Sequence, residues 1–111
     1  MYYTYIIKCI GGSLYTGITT DVARRFSEHL SRSSLGAKYT RSHYVQSVEA
    51  VWSSDSRASA SKLEYLIKSL PRTKKLTLIK CPDKINEYFD NLSATLYTYE
   101  RELLLELQKK Y

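Results

Sequence analysis

The sequence is poor in the residues that build cross-linked, metal-bound or membrane-spanning proteins. It has two cysteines, Cys9 and Cys81, which lie far apart and form no CxxC pair. A disulfide framework or a zinc site is therefore not expected, whereas two reduced thiols in the core are. No stretch approaches the roughly 18 apolar residues of a membrane span, and the N-terminus lacks the features of a signal peptide. We expect a cytoplasmic protein without membrane contact, or a nuclear one if its source is a virus or a eukaryote.

Glycine and proline are also scarce, with four and two residues, and neither an internal repeat nor a low-complexity linker is present. A chain of 111 residues buries roughly 65% of its unfolded surface, which supports one core and excludes a second full domain. Residues 1–80 carry 13 Lys and Arg against 5 Asp and Glu, or +8, whereas residues 81–111 carry 4 against 6, or −2. We therefore expect a basic domain over 1–80 that attracts polyanions, followed by a helical C-terminal extension over 81–111.

The apolar pattern predicts an α+β fold with a small three-stranded, mainly antiparallel sheet flanked by helices. Gly11-Gly12 indicates a two-residue hairpin turn, and Val22, Phe26 and Leu30 form the expected buried stripe of a helix. Residues 33–43 have no period and are expected to form an exposed loop. The predicted elements are strands over 2–10 and 13–18, a helix to about residue 33, a strand over 44–53, a helix that ends before Pro71, a short helix over 72–80 with Pro71 as its first residue, and helices over 85–111.

Five residues in this order of elements could carry chemistry. Tyr5 and Tyr15 lie on the two hairpin strands, so we expect their rings to be close. Arg25 and His29 are four residues apart and share one helix face, at the edge of its buried stripe. Glu64 lies at the border of an apolar stripe on the next long helix. A carboxylate at such a border could face a cleft.

Each of these residues also has an ordinary structural explanation. Tyrosine is a good strand residue, and Arg25 with His29 could be solvated helix surface. Glu64 and Lys68 are spaced for a surface ion pair worth about 0.3–0.5 kcal/mol. Gly17, at the end of the second strand, would allow the close approach of a ligand or of another backbone. The remaining charges of the first helix are expected to be solvated: Arg24, Glu28 and Arg32.

The joint spacing of the five residues resembles the GIY-YIG nuclease superfamily. The likeness is to its small stand-alone members, which look like the catalytic domain of the bacterial excision-repair incision subunit. It covers roughly residues 2–80, and its most specific part is the stretch from Leu14 to Asp21 with the following Arg24-Arg25. The two motifs of the family, Gly-Ile-Tyr and Tyr-Ile-Gly, correspond here to Tyr3-Thr4-Tyr5 and Tyr15-Thr16-Gly17. Both tyrosines are present, and the departures fall on backbone and packing positions.

The resemblance implies a metal-dependent DNA endonuclease that hydrolyses phosphodiester bonds, selects DNA by its structure and serves repair or recombination. Glu64 would hold one Mg²⁺ or Mn²⁺, with no other cofactor, and Arg25 would stabilise charge on the phosphate. Tyr15 would be the general base. A free phenol with a pKa near 10 is a poor base at pH 7, so Arg25 and the metal would have to stabilise its phenolate. His29 would pass the proton on or assist Tyr15, and Tyr5 would orient Tyr15 and the water.

Two groups of basic residues are candidate contacts to DNA phosphates. Such contacts fix the position of DNA without reading its sequence, which suits a nuclease that selects DNA by shape. Each residue taken singly is as well explained by a solubilising surface. The candidates are Lys38, Arg41 and His43 in the loop, and Arg72, Lys74 and Lys75 in the short helix.

Two other classes of function stay open. One is a non-catalytic nucleic-acid-binding module on the same fold, which would need Arg and Lys but not the combination of Tyr5, Tyr15 and Glu64. The other is a protein-interaction module that works through the last helix. That helix could pack on the body, pair with a second copy or a partner protein, or cover the basic cleft. Its expected apolar positions are Leu96, Tyr99, Leu103, Leu104 and Leu107.

Overall fold

A computed structural model describes residues 1–31, 44–90 and 92–110. Short 3₁₀ turns at Pro82–Glu87 and Ala94–Leu96 connect the last elements. In the described ranges no helix has the length and apolarity that crossing a bilayer requires. The strands and α-helices are β1 (Tyr2–Cys9), β2 (Leu14–Thr19), α1 (Val22–Ser31), β3 (Val45–Ser54), α2 (Arg57–Lys68), α3 (Arg72–Lys80), β4 (Thr98–Tyr99) and α4 (Arg101–Lys110).

The strands form one antiparallel sheet in the order β2-β1-β3-β4. The prediction of an antiparallel α+β fold is confirmed. The connection between β1 and β2 is longer than the predicted two-residue turn, because Cys9 donates its backbone N–H to the Ser13 carbonyl at 2.8 Å. Gly11 and Gly12 have φ values of +96° and +91° in this connection. Side chains rarely tolerate that conformation, which explains why glycine occupies both positions.

The predicted number of strands is wrong, because a fourth strand lies at one edge. Thr98 and Tyr99 pair with Ser53 and Trp52, and the rings of Trp52 and Tyr99 are 5.9 Å apart. Two residues are too short a segment to show a strand period. The spacing of Leu96 and Tyr99 instead suggested a helical stripe, although α4 begins only at Arg101.

Local hydrogen bonds explain where α1 and α2 begin. Asp21 accepts a hydrogen bond from the Arg24 N–H at 3.1 Å before α1, and Ser56 caps α2 by accepting from the Ser59 N–H at 3.1 Å. Pro71 stands at the N-cap of α3 with extended backbone, one position earlier than predicted.

Both faces of the sheet are covered, and each cover includes residues beyond position 80. One core contains Ile6, Trp52 and Leu63, together with Ile85 and Phe89 from the C-terminal part. The other contains Ile7, Val22, Phe26 and Val51 with Leu104 and Leu107 of α4. Thus α2 lies on one face and α1 with α4 on the other. Of the two cysteines, Cys9 is buried as expected, but Cys81 is exposed.

Candidate functional site

Tyr5 and His29 form a buried hydrogen-bonded pair. Tyr5 lies in the centre of β1 and is 2% exposed, and His29 on α1 is 0% exposed. The Tyr5 Oη atom is 2.8 Å from His29 Nε2. His29 was expected at the edge of the helical stripe and Leu30 in it. The structure reverses them, since Leu30 is 37% exposed. The phenol of Tyr5 gives the imidazole a polar partner, which makes its complete burial tolerable.

Gly17 lies directly across the sheet from Tyr5. A Cβ atom at Gly17 would stand 2.5 Å from Tyr5 Oη, 2.7 Å from its Cζ and 3.2 Å from Tyr15 Cε2. The sequence predicted the close approach of a ligand or a backbone at this glycine, and in the structure the Tyr5 side chain approaches it closely. The absence of a side chain at position 17 leaves room for the ring that bonds His29.

Tyr15 lies on β2, one of the two edge strands of the sheet, and is half-buried. Its ring meets the His29 ring edge-on, with centroids 5.6 Å apart and planes at 64°. Lys68 Nζ lies 5.8 Å from the Tyr15 centroid and 3.4 Å from Glu64 Oε2. Because β2 is an edge strand, side chains of α1 and α2 meet there although the helices cover opposite faces.

Arg25 is one helical turn before His29 and pairs with Glu28. The Nη1 atom of Arg25 is 3.0 Å from Glu28 Oε1, with the two side chains 25% and 18% exposed. Glu28 was expected to be a solvated charge. Instead it is largely buried and fixes one side of the Arg25 guanidinium.

The pKa of Tyr5 depends on the other residues of the candidate site. Burial raises the pKa of Tyr5, the neighbouring Tyr15 and the Glu64 carboxylate act in the same direction, and a hydrogen bond with Arg25 opposes them. Burial, reinforced by the positive charge of Arg25, lowers the pKa of His29 to about 4, while Glu28 opposes that change. At pH 7 the buried pair is therefore a phenol and a neutral imidazole.

Glu64 is the carboxylate that could hold a divalent ion. Its side chain is 24% exposed, and among the described residues no group of three or more His, Cys, Asp and Glu side chains is placed to hold a metal. One accessible carboxylate fits Mg²⁺ or Mn²⁺, because Mg²⁺ is commonly bound by one or two carboxylates and keeps several waters. It does not fit a zinc site, which needs three or four protein ligands.

The predicted phosphate contacts have different surroundings. Lys38, Arg41 and His43 lie outside the described residues. On α3, Lys74 is exposed and Lys75 half-buried, whereas the Arg72 guanidinium donates a hydrogen bond to the Gly12 carbonyl of the hairpin connection. Arg72 thus has a structural contact within the fold.

A cleft of about 400 Å³ opens beside Arg25 and includes basic residues that the sequence interpretation missed. Arg24 was expected to be ordinary helix surface, although its position next to Arg25 was a usable signal. Arg57 had none, because no local pattern relates the start of α2 to α1. The polar and charged lining comprises Thr19, Thr20, Arg24, Arg25, Glu28 and Arg57.

Comparison with known proteins identifies the family. A sequence model described as the GIY-YIG catalytic domain matches residues 1–77, which include Tyr5, Tyr15, Arg25, His29 and Glu64. The chain belongs to the GIY-YIG family. The resemblance drawn from the spacing of these residues is thereby confirmed at the level of the family.

Similar proteins carry the name UPF0213. The UPF0213 protein of Fusobacterium nucleatum is 43% identical over 91 residues, which cover 82% of this GIY-YIG chain and 89% of that protein. A UPF0213 protein of Halobacterium salinarum is 44% identical over 78 residues, covering 70% and 99%. The solution NMR structure of a UPF0213 protein from Bacillus halodurans is 42% identical, covers 73% of this chain and 85% of that one, and has a TM-score of 0.46.

Proposed function

We propose that this GIY-YIG chain is a metal-dependent DNA endonuclease, selective for DNA structure and similar in chemistry to the catalytic domain of the excision-repair incision subunit. The observation that supports this proposal is the convergence on Tyr5 of four other groups. His29 bonds its hydroxyl at 2.8 Å, and Tyr15, Arg25 and Glu64 act on its pKa. A nucleic-acid-binding module would need cations at this position, but not a buried tyrosine and histidine pair beside a carboxylate.

Tyr15 is the general base in this proposal. It is half-buried at the sheet edge and can reach a water, whereas Tyr5 and His29 are buried. Tyr15, having first lost its own proton to solvent, would as a phenolate take one proton from the water while the water oxygen bonds to phosphorus and the bond from phosphorus to the leaving sugar oxygen breaks. The leaving oxygen then takes a proton from solvent. Tyr5 and His29 act as positioning residues, because their hydrogen bond and the ring contact of His29 fix the environment of Tyr15.

Arg25 would bind the reacting phosphate directly, and Glu64 would act on it through a metal ion. Arg25 stays charged, since hydrogen bonds to Glu28 and Tyr5 outweigh its burial and raise its pKa. A planar guanidinium can donate two hydrogen bonds to phosphate oxygens as negative charge builds there. Glu64 would supply one oxygen to Mg²⁺ or Mn²⁺, and the ion would neutralise charge on the phosphate. Lys68 would release Glu64 to make that oxygen available.

The test is cleavage of plasmid, flap, branched and single-stranded DNA with Mg²⁺ or Mn²⁺. We expect the parent protein to cut at least one of these substrates, and Arg25→Ala and Glu64→Gln to lose the activity without losing the fold. Glu102→Gln removes a carboxylate from an exposed position of α4 and is the matched control. Absence of cleavage by the parent, or full activity of both site variants, would contradict the proposal. Metal-independent DNA binding that survives both substitutions would instead support the binding module.

A further inference from the structure

The cleft beside Arg25 is built by four elements. Tyr2 comes from β1, Ile18 from β2, Arg24 and Arg25 from α1, and Arg57 from the first position of α2. Arg25 belongs both to this cleft and to the group around Tyr5. The cleft is therefore continuous with the proposed position of the reacting phosphate.

The charges of the cleft favour an anion. Arg25 is balanced by Glu28 at 3.0 Å. Arg24 and Arg57 are exposed, and within the part of the chain that the structure describes neither guanidinium forms an ion pair. The lining thus holds three arginines and one carboxylate, a net charge of +2. Guanidinium groups bind phosphate oxygens through paired hydrogen bonds, and among the described residues Arg24 and Arg57 have no ion-pair partner that would compete with a phosphate.

The volume of the cleft and its uncharged lining residues limit the kinds of ligand that can bind there. A volume of about 400 Å³ falls in the lower part of the range of roughly 300–1,000 Å³ that small-molecule sites occupy. One nucleotide of a single strand fits such a space better than a stretch of duplex. Tyr2 and Ile18 are half-buried and offer an aromatic ring and an apolar wall against a base or a sugar.

We infer that this cleft is a nucleotide subsite, in which Arg24 and Arg57 bind the phosphate next to the one that is cut. The inference rests on the proposed nuclease function, because Arg25 then contacts the reacting phosphate and its neighbour in the strand must enter the adjoining cleft. It assigns to Arg24 and Arg57 a binding role, distinct from the role of Arg25 in the reaction.

Binding of a fluorescent single-stranded oligonucleotide, titrated in EDTA at several salt concentrations, tests the subsite without cleavage. The variants are Arg24→Gln and Arg57→Gln, and the charge-matched control is Lys84→Gln, an exposed cation in the C-terminal part. Each lost phosphate contact should reduce the slope of log affinity against log salt by about 0.7. We expect that reduction, with a loss of affinity of several-fold, for both arginine variants and not for the control. Equal slopes for all three variants would overturn the inference.

Steady-state cleavage separates this inference from the proposed function. If the nuclease proposal is right, Arg24→Gln and Arg57→Gln should raise KM several-fold and change kcat little, as expected for a contact made equally in ground and transition states. If the parent cuts no DNA but the two slopes still fall, the nuclease proposal fails, and the cleft is supported as a site for nucleic-acid phosphate but not as a neighbour of a reacting phosphate. If Arg25→Ala abolishes cleavage, but Arg24→Gln and Arg57→Gln change neither the salt slopes of binding nor KM, the subsite fails and the nuclease proposal survives.

Discussion

The Tyr5 hydroxyl and His29 Nε2 are 2.8 Å apart and sealed from solvent. This hydrogen bond joins the central strand β1 to helix α1 across 24 positions of sequence. It also supports the Tyr15 ring, which leans edge-on against the imidazole. The same pair therefore links the packing of α1 on β1 to the surroundings of Tyr15.

Removal of the Tyr5 hydroxyl should destabilise the protein measurably. Tyr5→Phe leaves a ring nitrogen of His29 buried without its partner, which costs about 1–3 kcal/mol. The matched control is Tyr65→Phe. Because Tyr65 is 66% exposed, this substitution should change the free energy of unfolding by less than about 0.5 kcal/mol. Urea denaturation of the parent and both variants measures the difference. Equal stability of the two variants would show that the buried hydrogen bond contributes nothing.

Acid should destabilise the protein through His29. Its pKa is about 4 in the folded protein and near 6.5 when unfolded, so the unfolded chain binds more protons between these values. The contribution of neutral His29 to the free energy of unfolding is fully present above pH 6.5 and is lost as the pH falls toward 4. The loss is at most about 3 kcal/mol. Denaturation at pH 7 and pH 4.5 should show a smaller acid loss in His29→Leu than in the parent. The same loss in both proteins would assign the acid sensitivity to other groups.

Gly17→Ala should displace the Tyr5 ring. The new methyl group would lie 2.5 Å from Tyr5 Oη, and overpacking of this kind costs about 1–3 kcal/mol. The same substitution in a Tyr5→Ala background should cost much less, because the ring that it meets is gone. A double-mutant cycle of unfolding free energies measures this coupling. A penalty of equal size in both backgrounds would place its cause in the backbone of β2.

The spatial relationships that the sequence predicted best are the local ones. Tyr5 and Tyr15 are joined by a short hairpin, and Arg25 and His29 by one helical turn, so strand and helix periods suffice to bring each pair together. Tertiary packing decides the rest. Nothing within α1 reveals that His29 is buried while Leu30 is exposed, because the partner of His29 comes from β1.

The other differences between prediction and structure arise from a very short strand and from contacts between distant parts of the chain. The strand β4 has two residues, too few for any period, and it exists because Trp52 and Ser53 offer it a pairing edge. Arg57 reaches the cleft only because α2 begins beside the end of β2, a contact between distant parts of the chain. Spacing did indicate the pair of Glu64 and Lys68, but not that Lys68 would also lie over Tyr15.

Lys68 should weaken metal binding in the proposed nuclease. Its ammonium group lies 3.4 Å from Glu64 Oε2 and competes with a divalent ion for the carboxylate. Because Lys68 is half exposed, the pair is worth only about 0.3–0.5 kcal/mol, which corresponds to roughly a two-fold effect. Lys68→Met should therefore lower the Mg²⁺ concentration for half-maximal cleavage about two-fold, whereas Lys84→Met should not change it. An increase in that concentration would mean that Lys68 helps to position Glu64 for the ion.

Truncation of apolar side chains on α4 tests whether the C-terminal part is integral to the fold. Leu104 is 7% exposed and packs in the core with Phe26 and Val51, whereas the neighbouring Leu105 is 51% exposed. Leu104→Ala should reduce the free energy of unfolding by about 2–5 kcal/mol, and Leu105→Ala by less than about 0.5 kcal/mol. If α4 instead paired with a second copy, Leu105→Ala would be the more damaging change and the unfolding midpoint would rise with protein concentration. Denaturation of both variants at two protein concentrations shows whether α4 is part of the core or an association surface.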